Sequence, residues 1–294
     1  MSDYRRAGRA FFDFAAAVLF GYLLLRPSLA GGEVKNAVKF CVEVIIPSLF
    51  VFLVLSKLVL GQLITLAGRA LPFALIISGA VSGFPVGAKI IRELYENGSL
   101  SKKQAELLLS CSDNASVSFI VSFAGAGVLG SLRAGLLLFW GKLLISALWY
   151  FAASKIYLLP WEREFLPGPD YPKSTLPQAI KDASRTMAEI CAAIVFFMCL
   201  SGVITRFLPA NEYVQSFVRG FFEFSGGIGI CGRMPPGAGY VVTAMLIGWS
   251  GICVHMQVSL SAGKELSLKL YTLNKAAECF LMGVFAVLTK GFAF

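Results

Sequence analysis

The run Ser82-Gly83-Phe84-Pro85-Val86-Gly87-Ala88-Lys89, followed by a charged turn near Asn97-Gly98 and then by Asp113-Asn114-Ala115-Ser116, decides how this chain is read. Apolar segments flank it on both sides, so a Gly- and Pro-broken, Lys-bearing, hydroxyl-rich interruption falls at or near bilayer depth. Irregular backbone at that depth is tolerated only where it is buried in protein or lines water. Transporters use such breaks, with helix ends aimed at a cavity, to build polar sites inside lipid. The stretch points to a membrane site and away from soluble catalysis.

Composition agrees. Of 294 residues, 57% are hydrophobic and 15% charged, and the mean hydropathy is +0.74. A soluble core cannot hide that much apolar surface, and an all-α polytopic membrane protein follows. The formal charge of +9 comes from Lys and Arg scattered through short loops. That distribution suits anionic headgroups or an anionic solute better than nucleic acid. The seven cysteines are odd in number, lack CxxC spacing and fall mostly in apolar runs, where they read as small buried hydrophobes. His255 has no second ligand at a helical spacing, so no metal is expected, and no cofactor either.

Along the chain, Arg5, Arg6 and Arg9 precede an apolar run over residues 10–25. This is the outline of a signal peptide, but Asp13 interrupts it, and an uncleaved first helix with its Arg cluster in the cytoplasm is preferred. Residues 38–60 form a second stretch, with Pro47 expected to kink it and Glu43 open to a bland place near the interface. Residues 71–91 and 105–130 are broken apolar arms joined by the charged turn, a helical hairpin that is either re-entrant or fully crossing. Within that turn, Ser101-Lys102-Lys103-Gln104 reads as an N-cap with its capping-box partner. Residues 132–159 make a long span. A proline-rich linker over residues 160–177 leads into an amphipathic helix, and apolar runs near 187–208, 213–230, 240–260 and 276–294 follow. The sum is about eight stretches of helix-like length. The division is one membrane domain in two halves, residues 1–154 and 187–294, joined by the linker and amphipathic helix of 155–186.

The second half echoes the first: Ser250-Gly251-Ile252-Cys253-Val254-His255-Met256-Gln257 stands against Ser82 to Lys89. As paired broken segments they would set Lys89 opposite His255 and Gln257. A charge at the bilayer centre needs a reason to be there. The substrate-binding candidates are Ser82, Gly83, Pro85, Gly87, Lys89, Asp113, Asn114, Ser116, Ser225, Ser250 and Gln257. Lys89 is either a fixed positive charge for an anion, aided by free amides at a half-helix start, or a helix-end lysine reaching the interface. Asp113, Asn114 and Ser116 offer donors and acceptors that suit a planar polar solute, or else cap a helix. Glu223, between aromatic residues and Gly226-Gly227, either pairs with Arg219 or titrates and couples proton movement to transport. His255 and Glu43 are the further coupling candidates. Lys142 and Glu189 are expected to reach the interface, and Glu278 completes the charged set.

These residues resemble the YlbJ family of sporulation integral membrane proteins, within the nucleoside-recognition (Gate) superfamily that includes concentrative nucleoside transporters. The likeness covers most of the chain from Glu43 onward. It rests on Glu43-Val44-Ile45-Ile46-Pro47-Ser48-Leu49-Phe50, on Ser82 to Lys89, and on Ala105-Glu106-Leu107-Leu108-Leu109-Ser110. Supporting it are Ala179-Ile180 through Phe196-Phe197, Glu223 with its Gly-rich tail, and Gly251 to Gln257. Where the family shows Asn-(Asn/Thr)-Ser-Gly-Pro, this chain has Asp113-Asn114-Ala115-Ser116-Val117. The resemblance implies a Gate-type helical bundle with hairpins from two related halves, and movement of dipicolinic acid, a planar dianion, across a forespore membrane.

The function expected is therefore a transporter of a small polar or anionic solute in a bacterial cell membrane. The alternatives are a non-transporting Gate-type component of a sporulation or envelope complex, and a nucleoside transporter. An intramembrane hydrolase built on Ser82 and Lys89 lacks an oxyanion-hole motif and a second base, so no enzyme is expected. The partners expected are the solute and the lipid bilayer, not nucleic acid; a coupling proton or Na+ and self-association are left open.

Overall fold

The computed structural model describes residues 21–22, 24–67, 70–156 and 174–294. The N-terminal Arg cluster, most of the first apolar run and most of the proline-rich linker lie outside these residues.

Helix α1 (Pro27–Phe40) passes into α2 (Ile46–Ala67) through a wide π turn, Cys41–Ile45, in which the Ile46 N–H reaches back to the Cys41 carbonyl. Pro47 explains the widening. It has no N–H for the carbonyl four residues back, and its ring crowds that carbonyl. The expected kink thus takes the form of one extra residue per turn just before the proline. Next come α3 (Leu71–Ser82), α4 (Val86–Glu96), α5 (Lys102–Ser112) and α6 (Phe119–Val128, also π-wound). The long α7 (Leu132–Ile156) closes the first half. In the second half are α8 (Leu176–Thr205), α9 (Glu212–Phe222), α10 (Phe224–Cys231), α11 (Pro236–Trp249), α12 (Gly251–Ala262) and α13 (Lys269–Ala293).

Among the described residues, five stretches are long and apolar enough to cross a membrane: Gly31–Val59, Leu132–Ile156, Leu176–Thr205, Pro236–Ala262 and Lys269–Ala293. No strand occurs among the described residues. The chain is an all-α polytopic integral membrane protein. The expected count of helix-length stretches falls because most of the run over residues 10–25 lies outside the described residues and three others are cut into short pieces: residues 71–91 at Gly83–Pro85, residues 105–130 at Asp113–Ser116 and residues 213–230 at Glu223. Residues 240–260 are cut too, at Ser250-Gly251, but the two pieces together keep the length of a span. In the other direction, the amphipathic segment and the apolar run after it fuse into one helix of 30 residues, α8. It is capped by Thr175, whose backbone N–H is accepted by Gln178 Oε1 at 3.2 Å.

Sidedness follows helical spacing. On α7, Leu136, Trp140, Leu144 and Leu148 face outward, four residues apart, while Ala134, Leu138, Lys142 and Ile145 face inward. The outward row is the surface lipid covers. Close helix approach in lipid relies on small residues, and glycines set the position of α13. A Cβ on Gly248 of α11 would overlap the Glu278 backbone, and one on Gly141 of α7 would overlap the Phe285 ring. Glycine at both points lets α7 and α11 close on α13, which carries a row of buried polar residues into the bundle.

Candidate functional site

Four interruptions of helix, two in each half, meet two by two. The first lies between α3 and α4. Gly83 takes φ +78°, a left-handed conformation that favours glycine, and the Phe84–Pro85 peptide is cis. The second lies between α5 and α6, where Asp113 leaves the helix in an extended conformation (φ −93°, ψ 98°). A Cβ on Gly83 would stand 3.1 Å from Ser116 Cβ, and one on Gly87 would stand 3.1 Å from Asp113 Oδ1. The absence of side chains at 83 and 87 is what lets these two breaks touch.

The third break is Glu223, extended at φ −143°, ψ 109° between α9 and α10. The fourth is Ser250-Gly251, where Ser250 holds φ 68° and Gly251 φ +81°. The left-handed region costs a non-glycine residue on the order of 1–3 kcal/mol. Hydrogen bonds hold Ser250 there: its N–H to the Leu246 carbonyl at 2.8 Å and its Oγ to the Ile247 carbonyl at 3.1 Å. A Cβ on Gly251 would lie 3.0 Å from the Phe224 nitrogen and 3.1 Å from the Phe222 oxygen, so the fourth break abuts the third. Phe224 then bridges the pairs, with ring centroids 6.0 Å from Phe84 and 4.9 Å from Phe119.

Between the breaks is a cleft with about 420 Å³ of empty space, lined by Gly83, Phe84, Ala115, Ser116, Glu223, Phe224, Ser225, Val254 and Gln257, with aliphatic residues of α8 and the Cys41–Ile45 turn. Its charged side chain is Glu223, 1% exposed. Glu223 caps its own downstream helix: Oε1 accepts the Ser225 N–H at 3.1 Å, and Oε2 accepts the Gly226 N–H at 2.7 Å and the Ser225 hydroxyl at 2.6 Å. Ser116 Oγ accepts the Phe119 N–H at 3.2 Å at the head of α6. Gln257 gives its Nε2 to Cys253 Sγ at 3.2 Å. One carboxylate, two hydroxyls and one carboxamide on apolar walls can bind a flat polar molecule by its edge.

Behind the second break is an ionic cluster that sequence reasoning found only in part. Lys142 of α7 pairs with Glu278 of α13 while 1% exposed, so it does not reach the interface as expected. Ser146 donates to Glu278 Oε1 at 3.0 Å. Lys275, a residue the sequence did not single out, donates to the Asp113 carbonyl at 2.9 Å, Asn114 Oδ1 at 3.3 Å and Glu278 Oε2 at 3.0 Å. Beside it, Asn274 donates to the Ser110 carbonyl, and Trp149 of α7 donates to Ser110 Oγ at 3.0 Å. The available signal was Asn274-Lys275-Ala276-Ala277-Glu278, three polar residues within five on a helix whose following stretch, Cys279 to Leu288, is apolar.

The other candidates fall in separate places. Asp113 is fully buried, and its Oδ1 accepts the Ala88 N–H at 3.3 Å. The half-helix amides considered for an anion are thus met by a carboxylate of the chain itself. Lys89 points the other way, to Thr186 Oγ1 at 2.6 Å, in a second cleft it shares with Lys57. Asn114 also donates to the Cys111 carbonyl at 3.0 Å. Ser82 is buried at the end of α3, Ser225 sits beside Glu223, and Pro85 heads α4. Arg219 pairs with Glu33 at 3.4 Å, not with Glu223. His255 holds the Gly251 carbonyl through Nδ1 at 2.9 Å and packs between Trp249 and Tyr271. Glu43 lies on the outside, its side chain 60% exposed and 3.8 Å from Lys39.

No family model matches the chain, and no solved structure matches it. Over 143 residues, 44% of this chain, it is 27% identical to the sporulation integral membrane protein YlbJ of Bacillus subtilis (strain 168). The match takes in 34% of that protein, so the two share about a third of the relative's length.

Proposed function

We propose that this chain is a membrane transporter for a small, flat polar solute that binds in the cleft between the four helix breaks. The convergence of those breaks at Glu223 carries the reading: unwound backbone inside a membrane protein must be buried in protein or line a cavity, these breaks line a cleft, and broken helices at the interface of two halves are how transporters hold cargo. The likeness to the sporulation integral membrane protein YlbJ supports a setting in sporulation; the family resemblance read from the sequence implies a cargo like dipicolinic acid, and its Gate-type side implies nucleosides as the competing class.

Charge separates the two. Glu223 is the charged group in the cleft, so a dianion binds only as that carboxyl takes up a proton, whereas a nucleoside hydroxyl donates to it directly. Proton coupling through Glu223 is thus part of the proposal for an anionic cargo. The test is uptake of labelled dipicolinate and of labelled uridine by proteoliposomes, beside thermal denaturation with each compound, since a ligand of the folded state raises its Tm. Saturable uptake of one compound that also raises the Tm supports transport. Absence of both effects across dipicolinate, nucleosides and related carboxylates, with a folded protein that keeps a stable co-purifying partner, replaces transport with a scaffolding role.

A further inference from the structure

We propose that the ammonium of Lys275 is the resident cation of the Asp113–Asn114 break, occupying a site whose oxygens would otherwise hold an alkali-metal ion. Unwound carbonyls beside acidic side chains are what broken membrane helices offer to Na+. The donors here match: the Asp113 main-chain carbonyl at 2.9 Å, Asn114 Oδ1 at 3.3 Å and Glu278 Oε2 at 3.0 Å, all on one nitrogen that is 0% exposed. Two further oxygens in this region, Asp113 Oδ2 and Asn274 Oδ1, are buried with no hydrogen-bond partner among the described residues.

The charges point the same way. Lys142 and Lys275 stand against Asp113 and Glu278, and the four cancel when all are ionised. Each is at most 1% exposed. Without Lys275 the cluster keeps one carboxylate too many in a medium that cannot solvate it. Oxygen donors and a surplus negative charge then define a site for a hard monovalent cation. Lys275 is held on α13 and cannot leave, so the break is stabilised with no ion to bind or release. If the chain transports, its cycle draws no alkali ion through this position, and coupling falls to a proton. That last step rests on the transporter reading; the site itself does not.

The experiment reads stability alone, so failed transport and a failed site are distinguishable. Wild type, Lys275→Met and Lys275→Met/Asp113→Asn are purified in detergent, and their Tm is measured in choline chloride, NaCl and KCl at equal ionic strength. Wild type is expected to melt at one temperature in all three salts. Lys275→Met is expected to melt lower in choline and to rise by about 2 °C or more in NaCl or KCl once the ion reaches roughly ten times its Kd. The double variant, neutral again, is expected to fold and to ignore the salt. A single variant no more responsive than wild type overturns the proposal, as does a wild type that responds equally. So does a single variant unfolded in every salt, or a double variant that fails to fold or still responds.

Discussion

Asp113 Oδ1 accepts the backbone N–H of Ala88 at 3.3 Å, so the unwound end of one hairpin arm caps the half-helix that restarts in the other. A helix N-terminus carries free amides and the positive end of the dipole. Supplying the carboxylate from within the chain ties the two breaks together and fixes the hairpin's shape. Glu223 does the same for α10. Both half-helix ends are therefore closed by internal anions, which leaves the cleft polar and acidic.

That hairpin should be intolerant of any added atom where its arms cross. A Cβ on Gly79 would overlap the Ser112 carbonyl, whereas one on Gly229 would meet nothing within 4 Å. Gly79→Ala is expected to destabilise by about 1–3 kcal/mol. Gly229→Ala should be neutral or stabilising by up to about 1 kcal/mol through helix propensity. Thermal melts of the two variants in detergent check this, and equal melting temperatures would show that the arms have room to spare.

The buried cluster should behave as a unit. Glu278→Gln leaves Lys142 and Lys275 facing Asp113 alone, and Lys142→Met leaves two carboxylates facing Lys275. Each leaves a net charge in the bundle interior, at a cost of about 3–5 kcal/mol. Together they leave Asp113 and Lys275, a neutral pair, so the double variant should lose clearly less than the sum of the singles. A denaturation cycle over the four proteins measures the coupling; strict additivity would mean that the charges do not sense each other.

Much of this arrangement is legible in one dimension. Gly83, Pro85 and Ser250-Gly251 announce their breaks because backbone rules are local, and Ser101 with Gln104 forms the capping box its spacing predicts, the Gln104 side chain accepting the Ser101 N–H at 2.9 Å. Partners are another matter. Lys142 sits near Trp140 and reads as an interface lysine, but its carboxylate is 136 residues away on α13. Lys275 and Asn274 lie early in α13 among residues that look half-polar, and only the contact with the Asp113–Asn114 break, 161 residues distant, gives Lys275 its meaning. Arg219 is one turn from Glu223 on paper, but the extended backbone at 223 turns that carboxylate onto α10 and leaves Arg219 to Glu33.

Where a cap is a lone side chain, its loss should be modest and local. Asn211 Oδ1 accepts the N–H groups of Tyr213 at 2.9 Å and Val214 at 3.3 Å at the start of α9. Asn211→Ala is expected to cost about 1 kcal/mol, and Asn211→Asp to cost nothing measurable. Hydrogen exchange should quicken in the first turn of α9 in the alanine variant and not in α10; a change reaching α10 would mean that the two helices open together.

Glu223→Gln separates the structural part of Glu223 from its proposed coupling part. A carboxamide has one oxygen where the carboxylate uses two: Oε1 on the Ser225 N–H at 3.1 Å, and Oε2 on the Gly226 N–H at 2.7 Å and the Ser225 hydroxyl at 2.6 Å. Whichever way Gln turns, its NH2 meets a backbone N–H, and about 1–3 kcal/mol of stability should go. Glu223→Asp keeps the charge on a shorter arm and should lose stability without losing the proton. In proteoliposomes, uptake of an anionic cargo should follow an imposed proton gradient for wild type and Glu223→Asp. In Glu223→Gln the same uptake should persist at a reduced level and no longer follow the gradient, because the carboxyl that exchanges its proton is gone. Uptake by Glu223→Gln that follows the gradient as steeply as wild type would move the coupling group elsewhere in the bundle, and His255, with its Nε2 buried and unbonded among the described residues, is then the next side chain to replace.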